Sequence, residues 1–486
     1  MIVFKQLFSL LPALILMLVG FISFLFMSFK KNLNLIKNLN ILGFILSLLS
    51  LFLVYRSVPI KIGEILFINF FSIVYLGVLL LIGLCSCILF LTNKKRYIQN
   101  PENFFLLINL AIIGAMFAII SNNMIIMFIG IELMSLPMLA LSGYFVNEKK
   151  SVESSLKYLI LSTISSCFLL FGISLIYCIS GNFNFFHFNE LSIFSSYDVD
   201  RIVLFAWCFI LTGFGIKIAI FPFHSWISNI YEGISFSSLL FFSTIIKIVS
   251  FIILINFFIF FPKNNLHNLF FLIQILSFFS ILLGNILALF EKNIRKLLAY
   301  SSIAYFGSLL ISVVTLFDNK FALESFGINI VNYVLSSVIF IGILNYISTI
   351  DNNHYHNGFE FYKGLFWRNP ILSILMTISI FSFAGIPFTI GFFGKFFLFL
   401  LIIEQKFYFL GISFLLGSVL SMYYYLRIVV NMFINEPMIN KKNLLIKKKI
   451  SNNWIFTFFG FLMIILSMSI LFFGINLNFL INLFSI

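Results

Sequence analysis

Charge is scarce in this chain: only 9% of its 486 residues are Asp, Glu, Lys or Arg, against about a quarter in a soluble domain. With 62% hydrophobic residues and a mean hydropathy of +1.13, that scarcity excludes a soluble globule. Acids are the rarest, 16 against 30 basic residues, which leaves a net charge of +14. The cations fall in short loops between apolar runs, where they orient a chain in a membrane, and a nucleic-acid partner is excluded. Cysteine is also sparse. Cys85, Cys87, Cys167, Cys178 and Cys208 all lie within apolar runs, show neither metal spacing nor a disulfide framework, and read as small core residues. A Gly-rich strand-to-helix fingerprint is missing, as is any cluster-type cysteine spacing, so nothing here binds a nicotinamide, a flavin or an iron–sulfur cluster.

What is present is a series of apolar runs of about 20 residues, the length of a membrane helix rather than of a barrel strand. The fold class is therefore an all-α polytopic membrane protein with about fourteen spans. These are expected at 7–29, 39–55, 65–92, 103–120, 123–146, 156–179, 201–221, 236–261, 266–290, 297–317, 322–350, 371–403, 408–433 and 454–483. The first run exceeds a signal-peptide core and meets Phe29-Lys30-Lys31 instead of a small-residue cleavage site, so it reads as the first helix. Loops after odd-numbered spans hold nineteen Lys and Arg, and those after even-numbered spans six. That asymmetry, with Lys441 to Lys449 as the densest group, puts the odd loops in the cytoplasm and both termini outside.

Four basic residues fall inside spans: Lys217, Lys247, Lys395 and Arg427. A charge at the centre of a membrane helix costs roughly 2.5–3.5 kcal/mol even on lenient scales, so each is a functional candidate. Pro222 follows Lys217, and Ala384-Gly385-Ile386-Pro387 precedes Lys395, so two of the lysines adjoin a break in their helix. Corresponding interruptions in two halves of a chain point to inverted-repeat transporters. Spans 4–8 then form one five-helix repeat and spans 9–13 its inverse, with helices 7 and 12 broken. The implied divisions are 1–100 (helices 1–3), 101–262, 263–435, and 436–486 (basic loop and helix 14). Glu132 is the one acid in the middle of a span, and two isolated buried charges would each be desolvated without compensation, so it is the expected partner of a buried lysine.

These residues resemble the N subunits of the proton-pumping NADH:quinone oxidoreductase, respiratory complex I. The likeness is carried by Glu132 in FIGIELMSLP, Glu153 and Lys157 in ESSLKYLIL, Lys217 in GIKIAIFPFHSW, Lys247, NIRKLLAYSSIAYFG, and Lys395 after AGIPFTIGFFG. It implies fourteen helices, an antiporter-like proton channel in a membrane arm, and a bacterial inner-membrane location with both termini periplasmic. It also implies that FMN, iron–sulfur clusters and quinone are held by other subunits, and that the neighbours are M-type and small K-type subunits. M-type relatives usually carry glutamate where this chain has Lys395, and L-type relatives add a lateral helix beyond the point where this chain stops. Two departures remove titratable groups: Ser228-Asn229 stands where the family favours Pro-Asp, and Tyr305 where it favours histidine.

Each candidate has two readings. Glu132 and Lys217 form either a structural ion pair or a switch in which the paired lysine keeps its proton and the unpaired one releases it. Lys247 either relays protons or snorkels to an interface, Lys395 either carries protons or props its break, and Arg427 is expected to snorkel. His224 is a proton donor into the channel or a polar cap on the broken helix. Glu153 and Lys157, spaced i, i+4, pair on a helix surface or couple to Glu132. Tyr305 is expected to pack with a hydrogen bond, and His354 with His356 lack supporting ligands for a metal. The function expected is proton translocation coupled to electron transfer from NADH to quinone. The rivals are a subunit of a multisubunit cation/proton antiporter and a scaffold that carries no protons.

Overall fold

The computed structural model describes residues 2–29, 32–92, 100–146, 148–185, 197–260, 267–316, 319, 321–350, 358–434, 454 and 457–484. Lys30, Lys31, Lys94, Lys95, Arg96, Lys263, Lys320, His354, His356 and the basic run Lys441 to Lys449 lie outside the described residues. The chain begins with α1 (Ile2–Ser9), α2 (Leu11–Phe29) and α3 (Leu33–Tyr55), then a hairpin of β1 (Ile60–Ile62) and β2 (Leu66–Ile68). It continues through α4 (Phe70–Thr92), α5 (Glu102–Ile120), α6 (Met124–Ser142), α7 (Lys149–Ser180), α8 (Tyr197–Ile218), α9 (Ile227–Gly233) and α10 (Phe236–Phe260). The second half holds α11 (His267–Phe290), α12 (Ile294–Val314), α13 (Phe321–Ile350), α14 (Leu365–Arg368), α15 (Pro370–Ala384), α16 (Ile390–Glu404), α17 (Tyr408–Phe433), α18 (Phe458–Ile475) and α19 (Asn478–Phe484).

Among the described residues, 13 helices are long and apolar enough to cross a membrane. The remaining expected span, 371–403, is divided between α15 and α16. At 15 residues each, they are about 22 Å long and fall short of a hydrocarbon core of about 30 Å. Local chemistry sets several starts. Asn123, Asn293 and Asn369 each accept a backbone N–H in the first turn of α6, α12 and α15, and Pro370 occupies the first position of α15, where its missing donor is harmless. Helix α10 is buried throughout an 18-residue stretch and α13 nearly so, whereas most residues in the corresponding stretches of α2, α7 and α18 are not buried. The most enclosed helix is thus the one that carries Lys247.

Helices α5 and α6 approach so closely that a Cβ on Gly114 would meet the Met134 nitrogen at 2.6 Å, and one on Gly130 the Ala118 nitrogen at 2.7 Å. Backbone-to-backbone packing of this kind needs small residues, and it holds the helix bearing Glu132 against the bundle.

Two expectations are corrected. Residues 65–68 do not start the third span. They pair with 60–62 in register Ile60↔Ile68, the chain reversing after Gly63, whose φ is +57°. Cys167 and Cys178 are exposed on α7 and Cys208 is half-buried, so only Cys85 and Cys87 are core residues. The sulfur atoms on the outer face need no packing partner where the surroundings are themselves apolar. Arg427 extends to the end of α11: its Nη1 donates to the Leu289 carbonyl at 3.2 Å and its Nη2 to that of Glu291 at 2.6 Å, and it covers the Phe359 ring at 4.5 Å. It caps the end of α11, where the last carbonyls lack intrahelical donors.

Candidate functional site: two broken helices and three intramembrane lysines

Lys217 occupies the last turn of α8, and the helix stops one residue later. Ala219 turns into the left-handed region at φ +63°, the Ile220 N–H reaches back to the Gly215 carbonyl at 2.9 Å, and the Phe221 N–H donates to Ser280 Oγ of α11 at 3.1 Å. Pro222 lies in the turn and has no N–H to satisfy. Helix resumes with α9 at Ile227. Protein groups therefore answer the backbone freed by the break, as an apolar setting requires.

Lys217 is 5% exposed. Its Nζ lies 3.9 Å from Glu132 Oε1, within ion-pair reach but longer than the 2.7–2.9 Å of a charge-assisted hydrogen bond. At this distance the attraction is roughly 4 kcal/mol for an effective dielectric of about 20. Ser135 Oγ donates to the other carboxylate oxygen at 3.1 Å, while Oε1 has no hydrogen bond among the described residues. The structure brings these two residues together without closing the contact.

Lys247 is 1% exposed, and no carboxylate lies within ion-pair reach of it among the described residues. Its Nζ donates to Ser302 Oγ of α12 at 2.6 Å and stands 5.1 Å from the Phe306 ring and 5.9 Å from that of Tyr231. It does not reach an interface. One turn further along α12, Tyr305 donates to the Asn329 carbonyl at 2.7 Å and accepts from Asn332 Nδ2 at 3.1 Å. Asn332 Oδ1 in turn accepts from Ser382 of α15.

The second break follows the same logic with different parts. Helix α15 ends at Gly385, whose φ of +78° suits glycine, and α16 begins at Ile390. Lys395, on the first turns of α16, folds back so that its Nζ donates to the Ala384 carbonyl at 2.7 Å and to Ser421 Oγ of α17 at 3.2 Å. Beside it is a cavity of about 40 Å³ lined by Ser301, Tyr305, Ser308, Ser421, Tyr424 and Asn285 among others. Since a water needs about 10–15 Å³, a few fit. Helix α12 thus touches Lys247 through Ser302 and lines the Lys395 cavity through Ser301, Tyr305 and Ser308.

Not every candidate joins this constellation. Glu153 and Lys157 pair with each other at 2.5 Å on the exposed start of α7, and neither is within ion-pair reach of Glu132. His224 sits half-buried in the first break, and its Nδ1 has no hydrogen-bond partner among the described residues. Ser302, Asn329, Asn332 and Ser382 escape sequence reasoning because a lone Ser or Asn in an apolar helix carries no alarm. The available signal was the recurrence of Ser302, Tyr305 and Ser308 on one face of α12.

A further cluster lies at the end of α9. The Glu232 carboxylate accepts from Lys150 of α7 at 2.9 Å and pairs with Lys296 of α12 at 3.2 Å, while the buried Arg295 donates to the carbonyls of Glu232 and Ile234. Partial burial pushes the Glu232 pKa up, but the two lysines outweigh it and hold the carboxyl below its ordinary value. Among the described residues no three His, Cys, Asp or Glu side chains meet to hold a metal.

Residues 121–421 match the family described as NADH:quinone oxidoreductase/Mrp antiporter, TM. The chain is 38% identical over 480 residues to NADH-quinone oxidoreductase subunit N of Buchnera aphidicola subsp. Acyrthosiphon pisum, covering 99% of this chain and 98% of that protein. It is 39% identical over 485 residues to the subunit of the same name from Buchnera aphidicola subsp. Schizaphis graminum, with the same coverage. Its fold resembles a chain of respiratory complex I from Thermus thermophilus with bound aureothin, at TM-score 0.80 and 22% identity over 98% of this chain and 99% of that one. It also resembles a chain of the Mrp complex from Dietzia sp. DQ12-45-1b, at TM-score 0.84 and 17% identity over 99% and 96%. The last two show a shared fold. With the family match covering more than half of the sequence and the two Buchnera relatives aligned end to end, the chain belongs to the NADH-quinone oxidoreductase subunit N family.

Proposed function

We propose that this chain translocates protons in the membrane arm of an NADH:quinone oxidoreductase, with Lys217, Lys247 and Lys395 as carriers and Glu132 as the partner that holds or releases the first. The observation that carries this reading is α12: one helix contacts Lys247 and also lines the water-sized cavity at Lys395. Ser302, Tyr305 and cavity water supply hydroxyl groups that both donate and accept, which a proton needs in order to pass between two ammonium groups. His224, half-buried at the first break, is the proposed donor into the channel. The Glu153–Lys157 pair is peripheral.

The chain holds no redox centre in this reading, so flavin, iron–sulfur clusters and quinone belong to partner subunits, with M-type and K-type chains as neighbours. The proposed setting is a bacterial inner membrane with both termini periplasmic. Residues 101–262 and 263–435 act as inverted repeats, each with one broken helix. Moving a proton against 100 mV costs about 2.3 kcal/mol, which the distant electron transfer must supply.

The test is Lys395→Met in the assembled complex in vesicles, with NADH:quinone turnover and proton flux measured together. Methionine keeps the length and apolar bulk, so normal assembly with reduced proton flux is expected. Full assembly with undiminished flux would remove Lys395 from the path. Copurification of the chain with flavin and iron–sulfur subunits separates this reading from an antiporter complex.

A further inference from the structure

A second, larger cavity lies away from the lysine path, between α3, α4, α13 and α18. Its volume is about 530 Å³, within the 300–1,000 Å³ typical of ligand pockets. Ile41, Ile45, Ile88, Phe459 and Met463 make most of its wall. It lies at one end of the bundle, since Thr92 closes α4, Phe458 opens α18 and Lys37 stands near the start of α3. By the distribution of Lys and Arg along the sequence, this is the basic end.

The polar groups on the wall fall into two kinds. Thr92 Oγ1 donates to the Leu89 carbonyl and accepts from Asn345, and Thr457 Oγ1 donates to the Trp454 carbonyl and accepts from the Gly460 N–H. Both hydroxyls are satisfied. Trp454 is 1% exposed and its Nε1 is buried within the protein, not on the cavity surface. Lys37, partly exposed at the rim, has no carboxylate within ion-pair reach among the described residues. The Lys37 ammonium is a donor only and carries positive charge, so the occupant that fits offers acceptor oxygens, carries negative charge and has an apolar body.

We propose that this cavity binds one anionic phospholipid. Its phosphate pairs with Lys37, and an acyl chain fills the apolar space. Basic pockets between membrane helices recognise anionic headgroups in this way, and the lipid joins the first three spans to the last.

The experiment uses the full chain in its assembled complex, reconstituted into phosphatidylcholine vesicles containing a trace of phosphatidylglycerol with a photoactivatable acyl chain. A matched trace of labelled phosphatidylcholine serves as the neutral control. Labelled peptides from α3 and α18 are quantified by mass spectrometry in the wild type, Lys37→Glu and Ile41→Trp. The wild type is expected to favour phosphatidylglycerol about fivefold, the advantage of one lysine near an anionic headgroup. Lys37→Glu should bring the ratio to about one while labelling by phosphatidylcholine continues, and Ile41→Trp, which fills the cavity, should lower labelling by both. Thermal stability of each variant complex verifies folding. Equal labelling by the two lipids in the wild type, unchanged labelling in a stable Ile41→Trp complex, or displacement by a long-chain quinone but not by unlabelled phosphatidylglycerol would each overturn the proposal.

Discussion

Replacing Gly385 by alanine tests whether Lys395 and its break form one unit. A Cβ there would stand 2.7 Å from Lys395 Cδ and 3.2 Å from Cε, at a residue whose φ is +78°. Two effects combine. The left-handed backbone costs an L-residue about 1–2 kcal/mol wherever it occurs. The overlap is with a flexible side chain and is cheap to relieve, but relief swings the ammonium away from the Ala384 carbonyl, now 2.7 Å distant. A hydrogen bond from a charged group contributes about 1.5–3 kcal/mol, so about 2–5 kcal/mol is at stake, of which only the first part is independent of the lysine. In a Lys395→Ala background the overlap disappears and only the backbone term remains. A double-mutant cycle on thermal stability of the purified complex should therefore give a coupling of at least about 1 kcal/mol, beyond the few tenths expected of independent sites. Proton flux in vesicles, followed with a pH-sensitive dye, should fall in Gly385→Ala even where assembly is preserved. Equal destabilisation of both backgrounds would show that the glycine serves the backbone alone, and the proposed unit would be refuted.

Ser302→Ala removes the hydroxyl that accepts from Lys247; proton flux should drop about tenfold, the equivalent of one charge-assisted bond, and Ser302→Thr should restore it. Glu132→Gln preserves shape and deletes the charge 3.9 Å from Lys217, so assembly measured on native gels should persist while flux falls. Glu232→Gln should lower thermal stability by up to about 1 kcal/mol at neutral pH, the range of exposed pairs. Because the two lysines hold the native Glu232 pKa below its unfolded value, near 4.3, that stability is present above the unfolded pKa and is lost as pH falls through the lower native one. The difference between wild type and variant should close in acid, which a pH series of unfolding temperatures will check.

Features that conflict with a hydrocarbon setting were legible in the sequence. A lysine or a mid-span acid stands out against its neighbours, so Lys217, Lys247, Lys395 and Glu132 could be singled out, and the breaks were legible because proline and glycine act locally. What depends on facing was not. Nothing in the sequence says that α12 faces Lys247 and the Lys395 cavity alike, since Ser302 and Tyr305 become conspicuous only when packing reveals what they meet. Arg427 reads as a snorkelling residue from its distance to the helix end, but its partners are not legible, since the carbonyls of α11 that it caps are 136 and 138 positions away. Membrane helices add a further difficulty: an apolar residue suits the lipid face as well as the core, so Cys167 and Cys85 look alike until the fold separates them.

Lys217 and Lys395 share a placement that helix geometry makes consequential. Lys217 stands in the last turn of α8, and the Lys395 ammonium sits on the final carbonyl of α15. Each therefore lies at the negative pole of a helix segment, where the aligned peptide dipoles amount to about half an elementary charge. At Lys395, which has no carboxylate within ion-pair reach among the described residues, the ammonium and that pole sum to about plus one half with its proton and to about minus one half without it, whereas Lys217 also has Glu132 at 3.9 Å. Neither state leaves a whole charge in the low-dielectric interior, and the imbalance is similar in size before and after the proton leaves. A carboxylate partner at full charge would make one state neutral and the other fully charged, and would bias the site toward one of them. The interrupted helix at the second break thus serves as a fixed counter-charge of intermediate size, which lets the Lys395 amine exchange a proton without any partner having to travel with it.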